Sequence, residues 1–329
     1  MNTAAAAGTT AISKQASVKN LPVNLFASVM GLAGLSLAWR LAHDVFGASA
    51  MIADAIGILA ILAFVAIASG YLAKWLKYPD AVRAEFSHPV AGNFFGTIGI
   101  AILLLSAVLA TYSRTLQQVV WTIGTLLTVV LSYVIVARLL KGSVDGAHVV
   151  PAWLIPGVAT LDIAVTGGTM PMEWAREVNL FSVAIGSVVA LVFFSMIFAR
   201  LVHKEALPVG MVPSMMILIA PFEVGFLAYI NIVHEVDMFA ALLFYFGLFM
   251  FVVLAFKVFR PSVPFAPAWW AISFPIAALS NAALKYARAA DQPVLYVIAG
   301  AILLILSIAI AILFVRTLHI LAKGELLAG

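Results

Sequence analysis

The chain contains no cysteine, which excludes disulfide bridges, thiolate metal sites and a cysteine nucleophile together. Charge is nearly as scarce. Asp, Glu, Lys and Arg make up 10% of the 329 residues, where an ordinary soluble chain has about 25%. With 64% hydrophobic residues there is too little polar surface to cover a water-exposed globule, so the composition excludes a soluble fold and points to the membrane. Polar, Pro- or Ser-rich linkers are missing as well. One helical domain over 21–320 is therefore expected, between a disordered tail at 1–20 and a short C-terminal tail at 321–329. The net charge of +4 comes from Lys and Arg scattered between apolar runs, with no basic stripe for nucleic acid. HExxH, GxSxG, P-loop and GxGxxG patterns are all absent, and the six histidines show no metal-ligand spacing, so neither enzymatic catalysis nor a cofactor or metal is expected.

What the sequence does contain is a series of apolar stretches close to the ~20 residues that cross a hydrocarbon core as helix. Ten are read, at 21–42, 51–76, 90–112, 119–140, 149–168, 178–202, 209–232, 238–259, 267–286 and 294–318. They are continuous rather than alternating, which argues against a β-barrel. Loop charge orients them, because Lys and Arg near span ends are retained on the cytoplasmic side. With both termini inside, only Arg40, Arg114, Arg176, Lys285 and Arg288 of the 18 Lys and Arg fall at the outer flanks.

Proline separates the spans into two kinds. Pro22, Pro89, Pro151, Pro213 and Pro267 stand near the starts of the odd spans, at intervals of roughly sixty residues, the mark of a repeated helical hairpin. Pro156, Pro221 and Pro275 lie deeper, where a proline removes a backbone donor and kinks a helix. At Pro221 the freed acceptor is expected to be the Ile217 carbonyl, with an unwound turn beside it. Such breaks are tolerated where protein or a water-filled cavity satisfies the freed groups, so the odd spans are expected inside. Proline is also common in membrane helices generally, and that alternative stays open.

Two carboxylates, Asp162 and Glu223, lie deep in the fifth and seventh spans. An ionised group at the bilayer centre costs at least about 2.5–3.5 kcal/mol, and such residues commonly mark ion or proton routes. They are candidate titratable pore residues, the alternative being neutral acids bonded within the bundle. Arg40, Lys285 and Arg288 at the outer flanks are candidate vestibule cations, a ring of positive charge that raises local anion concentration.

The stretch AWWAISFPIAALSN of the ninth span resembles the tellurite-resistance/dicarboxylate transporter (TehA-like) family, which includes the plant guard-cell slow anion channels. MGLAGLSLAW in the first span, VRAEFSHPV before the third and LIAPFEVGFLAYI in the seventh are similar to bacterial members, in the same order. The resemblance implies an all-α membrane protein: ten transmembrane helices in five hairpins, quasi-fivefold around a central pore with the odd helices inside. It also implies a homotrimer in a bacterial-type inner membrane. By the same resemblance Phe274, followed by Pro275, is the phenylalanine that plugs the pore. The implied activity is an anion channel for small monovalent anions such as chloride or nitrate. The alternative is a proton-coupled carrier of C4-dicarboxylate, sulfite or tellurite-type anions, which the two deep acids favour. Family members carry uncharged residues where Glu223 falls, a departure that speaks against a plain anion pore.

Overall fold

The computed structural model describes residues 16–142 and 145–328. Most of the expected disordered tail thus lies outside the described residues. Its described part is folded: Val18–Asn20 form a 3₁₀ turn capped by the Ser17 hydroxyl. The Ser17 N–H and the Asn20 side chain both donate to the Leu327 carbonyl, at 3.0 and 2.9 Å. The two described ends of the chain therefore meet at one face of the molecule.

Among the described residues all regular structure is helical. The α-helices are α1 Phe26–Phe46, α2 Ala50–Lys77, α3 Pro79–Ser87, α4 Gly96–Leu109, α5 Arg114–Leu139 and α6 Ile155–Gly167. They continue with α7 Ala175–His203, α8 Ala220–Val233, α9 Met238–Val258, α10 Ser273–Ala290 and α11 Pro293–Ala322. Among the described residues eight helical segments are long and apolar enough to cross a membrane. The fifth and ninth expected spans are not among them: Pro151–Gly167 is shorter, and the helix over 267–290 carries Asn281, Lys285 and Arg288. Both pack inside the bundle, where protein rather than lipid surrounds them, so apolarity is not demanded of every face.

Local chemistry sets the helix ends. Ser113 caps α5 and Asp237 caps α9, each accepting a backbone N–H from three residues on. Asp237 also accepts the Tyr229 hydroxyl, and that bond, then the Ala240 N–H, holds its carboxyl below the usual range. Gly47 ends α1 in the left-handed region at φ 69°. Lys74 and Lys77, Arg138, Arg200 and Lys257 occupy the last turns of α2, α5, α7 and α9, where cations complement the helix dipole.

The odd spans share a construction the even ones lack. Each opens as 3₁₀ helix and continues as α-helix: Val23–Leu25 into α1, Ala91–Phe95 into α4, Pro151–Leu154 into α6, Val209–Ile219 into α8 and Pro267–Ile272 into α10. Pro156, Pro221 and Pro275 are consequently not mid-helix kinks. They stand in the first turn of α6, α8 and α10, at the junction where 3₁₀ helix gives way to α-helix and the hydrogen-bond register changes. The Ile217 carbonyl is not free either, because it accepts the Ala220 N–H.

α1 packs against α4, α4 against α6, α6 against α8, α8 against α10, and α10 closes back on α1. Each of these helices is backed by the one that follows it as a span: α2, α5, α7, α9 and α11. Residues of α1, α4, α6, α8 and α10 are mostly buried, whereas the backing helices expose most of their apolar side chains. Lipid supplies no hydrophobic drive for one helix to leave it for another, so association rests on close packing. Gly157 of α6 shows this, since a Cβ there would lie 2.8 Å from the Ala190 backbone nitrogen of α7.

Gly157→Val is expected to force α6 and α7 apart and destabilise the bundle by about 1–3 kcal/mol, the usual cost of overpacking. Thermal unfolding in detergent, followed by loss of the monodisperse chromatographic peak, measures it. A second expectation concerns the two faces. In intact cells a membrane-impermeant thiol reagent should label only one of Ser49→Cys and Ser262→Cys, whose loops lie at opposite ends of the helices.

Candidate functional site

Three cavities follow one another along the inside of the inner helices. The first, about 270 Å³, is lined by the lead-in segments, with Asn24, Phe94, Ala152, Met211, Ser214 and Ala271 among its walls, and Glu85 and His88 at its edge. The second, about 30 Å³, shares Phe94 and Ala271 with the first and adds Phe274 and Pro275. The third, about 240 Å³, shares Phe274 with the second and runs to Arg40 and Lys285 at the far end. All five inner segments contribute to every one of the three.

Most of the residues that line the first two cavities recur every three positions. The rows are Asn24, Ala27 and Met30; Ala91, Phe94, Thr97 and Ile100; Ala152, Ile155 and Val158; Met211, Ser214, Ile217 and Ala220; Ala268, Ala271 and Phe274, with Val23, Val90, Gly210, Trp270 and Pro275 beside them. A 3₁₀ helix has three residues per turn, so side chains three apart eclipse and make a straight row along its axis. The 3₁₀ portions thus supply the first members of each row, and Ala27, Met30, Thr97, Ile100, Ile155, Val158, Ala220 and Phe274 continue it at the starts of the α-helices. Beyond Phe274 the spacing loosens to the α pattern, as in Gly34, Leu37 and Leu41 of α1.

Phe274 is buried, 6% exposed, and forms the common wall of the second and third cavities. Pro275 borders the second. Pro156 faces the other way, toward α5, where its carbonyl accepts the Ser132 hydroxyl, and Pro221 is buried away from all three cavities.

The charged candidates separate. Asp162 borders the third cavity, and its Oδ2 has no hydrogen-bond partner among the described residues. Arg40 borders it too, but its guanidinium is paired with Asp54 of α2. Lys285 reaches the same cavity with the Asn231 side-chain oxygen as its hydrogen-bond partner, at 3.4 Å, and makes no salt bridge among the described residues. Arg288 is exposed and lies outside the cavity.

Glu223 does not belong to the site. It is fully buried, but it lines none of the three cavities and lies against Gly247 of α9, where a Cβ would collide with its carboxyl. Neither carboxyl oxygen finds a partner among the described residues. The neighbouring Val224 and Leu227 face the cavity instead.

Two amides escaped the reading of the sequence. Asn281 lines the third cavity and donates to the Gly34 and Ala277 carbonyls, tying α10 to α1. Asn231 donates to the Ala164 and Val165 carbonyls at the end of α6 while holding Lys285. The signal was there: an uncharged amide within an apolar span is as costly to leave unpaired as any polar group, and attention had gone to charge alone.

Helices that enclose a chain of cavities across a membrane bundle, with a cation at one end, make a transport protein. This chain belongs to the voltage-dependent anion channel (SLAC1) family, whose model matches residues 20–318. A tellurite resistance protein TehA homolog of Haemophilus influenzae is 27% identical over 308 residues, 93% of this chain and 92% of that protein. An uncharacterized transporter of Methanocaldococcus jannaschii is 26% identical over 285 residues, 80% of this chain and 83% of that protein. The guard cell S-type anion channel SLAC1 of Arabidopsis thaliana is 24% identical over 309 residues, 90% of this chain but 55% of the longer plant protein.

Because Glu223 lies against α9, Glu223→Gln is expected to leave the dependence of flux on pH unchanged. Liposome flux across a pH series checks this, and a flattened curve would return Glu223 to the pathway.

Proposed function

We propose that the chain is an anion channel for small monovalent anions such as chloride or nitrate, its conduction path running through the three axial cavities and closed at rest by Phe274. The carrying observation is that this one ring separates two cavities to which all five inner segments contribute. A bulky apolar side chain at a constriction excludes ions by excluding their water. Pro275 follows it, in the first turn of α10 where 3₁₀ helix gives way to α-helix. Lys285 supplies positive charge at one mouth, while the middle cavity has no cation among its walls, so an anion is attracted without being held. The relatives named as anion channels support the substrate class.

In this reading the five inner helices and their backing helices make five hairpins, quasi-fivefold about the pore, and the segments over 151–167 and 267–290 bring the crossings to ten. Three copies, each with its own pore, sit in an inner membrane with both termini cytoplasmic. The basic last turns of α2, α5, α7 and α9 accord with that orientation.

One observation favours a second reading, a proton-coupled carrier of C4-dicarboxylate, sulfite or tellurite-type anions. Asp162 faces the third cavity with a free oxygen, where an ionised carboxylate would repel an anion and a neutral one would let it pass. Its uptake and release of a proton would then be part of each cycle.

Phe274→Ala should join the second and third cavities and raise anion conductance several-fold in planar bilayers, with the reversal potential following the anion gradient. A folded variant that conducts no better than the parent removes Phe274 from the role. Asp162→Asn separates the two readings: a channel should keep or gain conductance, whereas a carrier should lose accumulation driven by a pH gradient.

A further inference from the structure

We propose that the first cavity is a small-anion site with two neutral donors, the His88 Nε2–H and the Asn24 side-chain amide, and that it takes an ion such as nitrate or chloride before Phe274 is reached. The site deepens the anion path proposed above. It rests on that reading for the passage of the ion, but not for its binding.

Pro89 sets the imidazole. The residue before a proline is driven to extended backbone, and His88 has φ −67° and ψ 131°. That is the backbone of a capping residue, and the His88 Nδ1 accepts the Val90 and Ala91 N–H groups at 3.2 and 3.1 Å. A ring nitrogen that accepts carries its lone pair there, so in the neutral ring the proton sits on Nε2. Nε2 makes no hydrogen bond to a described residue, and His88 is exposed at the edge of the cavity. Asn24, in the lead-in to α1, lines the same cavity. Its Oδ1 is sealed without a partner, which leaves the amide nitrogen as the open end. Turning the amide over would seal two donors in place of one acceptor.

The other polar side chains of the wall are already engaged. Glu85 Oε1 accepts the Val23 N–H, and Oε2 accepts both the Tyr71 hydroxyl and the Lys74 ammonium at 2.6 Å. The Glu85 charge is thereby cancelled by its neighbour. Lys74, 4% exposed, also donates to the Leu21 carbonyl and does not border the cavity. The Ser214 hydroxyl donates to the Met211 carbonyl, and the remaining side chains are apolar. A guest therefore meets free polar hydrogens and few free acceptors, which suits an anion and not a cation. The volume of about 270 Å³ leaves room for the ion with several waters of about 30 Å³ each. Neutral donors hold such an ion weakly, as conduction requires.

Nitrogen magnetic resonance of the full chain with isotope-labelled histidine, in detergent micelles, tests binding without requiring conduction. His88→Asn, whose side-chain oxygen can keep the cap, identifies the His88 signal by its loss. In the parent that signal should be the one of a ring protonated on Nε2. Nitrate added against gluconate at constant ionic strength should move it saturably. Asn24→Leu should raise the half-saturating nitrate concentration about tenfold, the loss of one hydrogen bond to a charged group. Gly210, on the wall of the cavity, is exposed and has nothing within 4 Å of an added Cβ. Gly210→Asp should therefore fold and weaken nitrate binding by its charge, with Gly210→Asn close to the parent, and this pair decides the matter if Asn24→Leu does not fold. A neutral ring protonated on Nδ1, a signal that nitrate leaves unmoved or moves only in proportion to its concentration, or parent-like binding in both Asn24→Leu and Gly210→Asp overturns the proposal. Saturable binding in a protein that passes no anion current would uphold the site and set aside the channel reading, and anion current without such binding would do the reverse.

Discussion

Inside a bilayer a backbone amide has no water to fall back on, and the architecture of this protein follows from that constraint. Regular α-helix satisfies every such group locally and can face lipid. The 3₁₀ segments satisfy theirs with poorer geometry, and the one over Val209–Ile219 is far longer than the three or four residues usual for such helices. Backbone of that kind survives at membrane depth only behind a screen of protein. The helices α2, α5, α7, α9 and α11 provide the screen, which is why they expose apolar side chains while the segments they back are buried.

The division into exposed and buried helices was legible because proline marks it. Pro151 and Pro267 open the 3₁₀ portions of their spans, and Pro156, Pro221 and Pro275 mark where α-helix takes over. Reading the deeper three as kinks assumed one continuous α-helix around them, and composition alone does not tell 3₁₀ from α. Counting apolar spans was reliable for helices that meet lipid. It weakened at 151–167 and 267–290, which are enclosed by protein and are free to be short or to carry Asn281 and Lys285.

The two deep acids show why a site is harder to read than a fold. Asp162 and Glu223 lie at similar depth in their sequences, yet one borders the axial cavity and the other abuts Gly247. The difference is rotational. A 3₁₀ residue turns about 120° where an α residue turns about 100°, so the eleven residues of Val209–Ile219 advance the face of α8 by more than half a turn relative to an α-helical count. No inspection of apolar periodicity recovers that phase unless the change of helix type is known. Phe274, placed by its motif and not by counting, lines the second and third cavities.

The threefold rows carry a geometric consequence. Three residues rise about 6 Å in 3₁₀ helix and about 4.5 Å in α-helix, so on each inner segment successive lining residues stand about 4.5–6 Å apart. The passage is thereby built in storeys, with Phe94 and Ala271 shared by the first two cavities and Phe274 by the second and third. Met30, Thr97, Val158 and Ile217, together with Phe274, furnish the narrow middle, and Asn24, Ala91, Ala152 and Met211 the wider floor below it. Away from these shared residues, a substitution changes the width or polarity met at one level, so much of the lining is free to vary level by level while the helices keep their places.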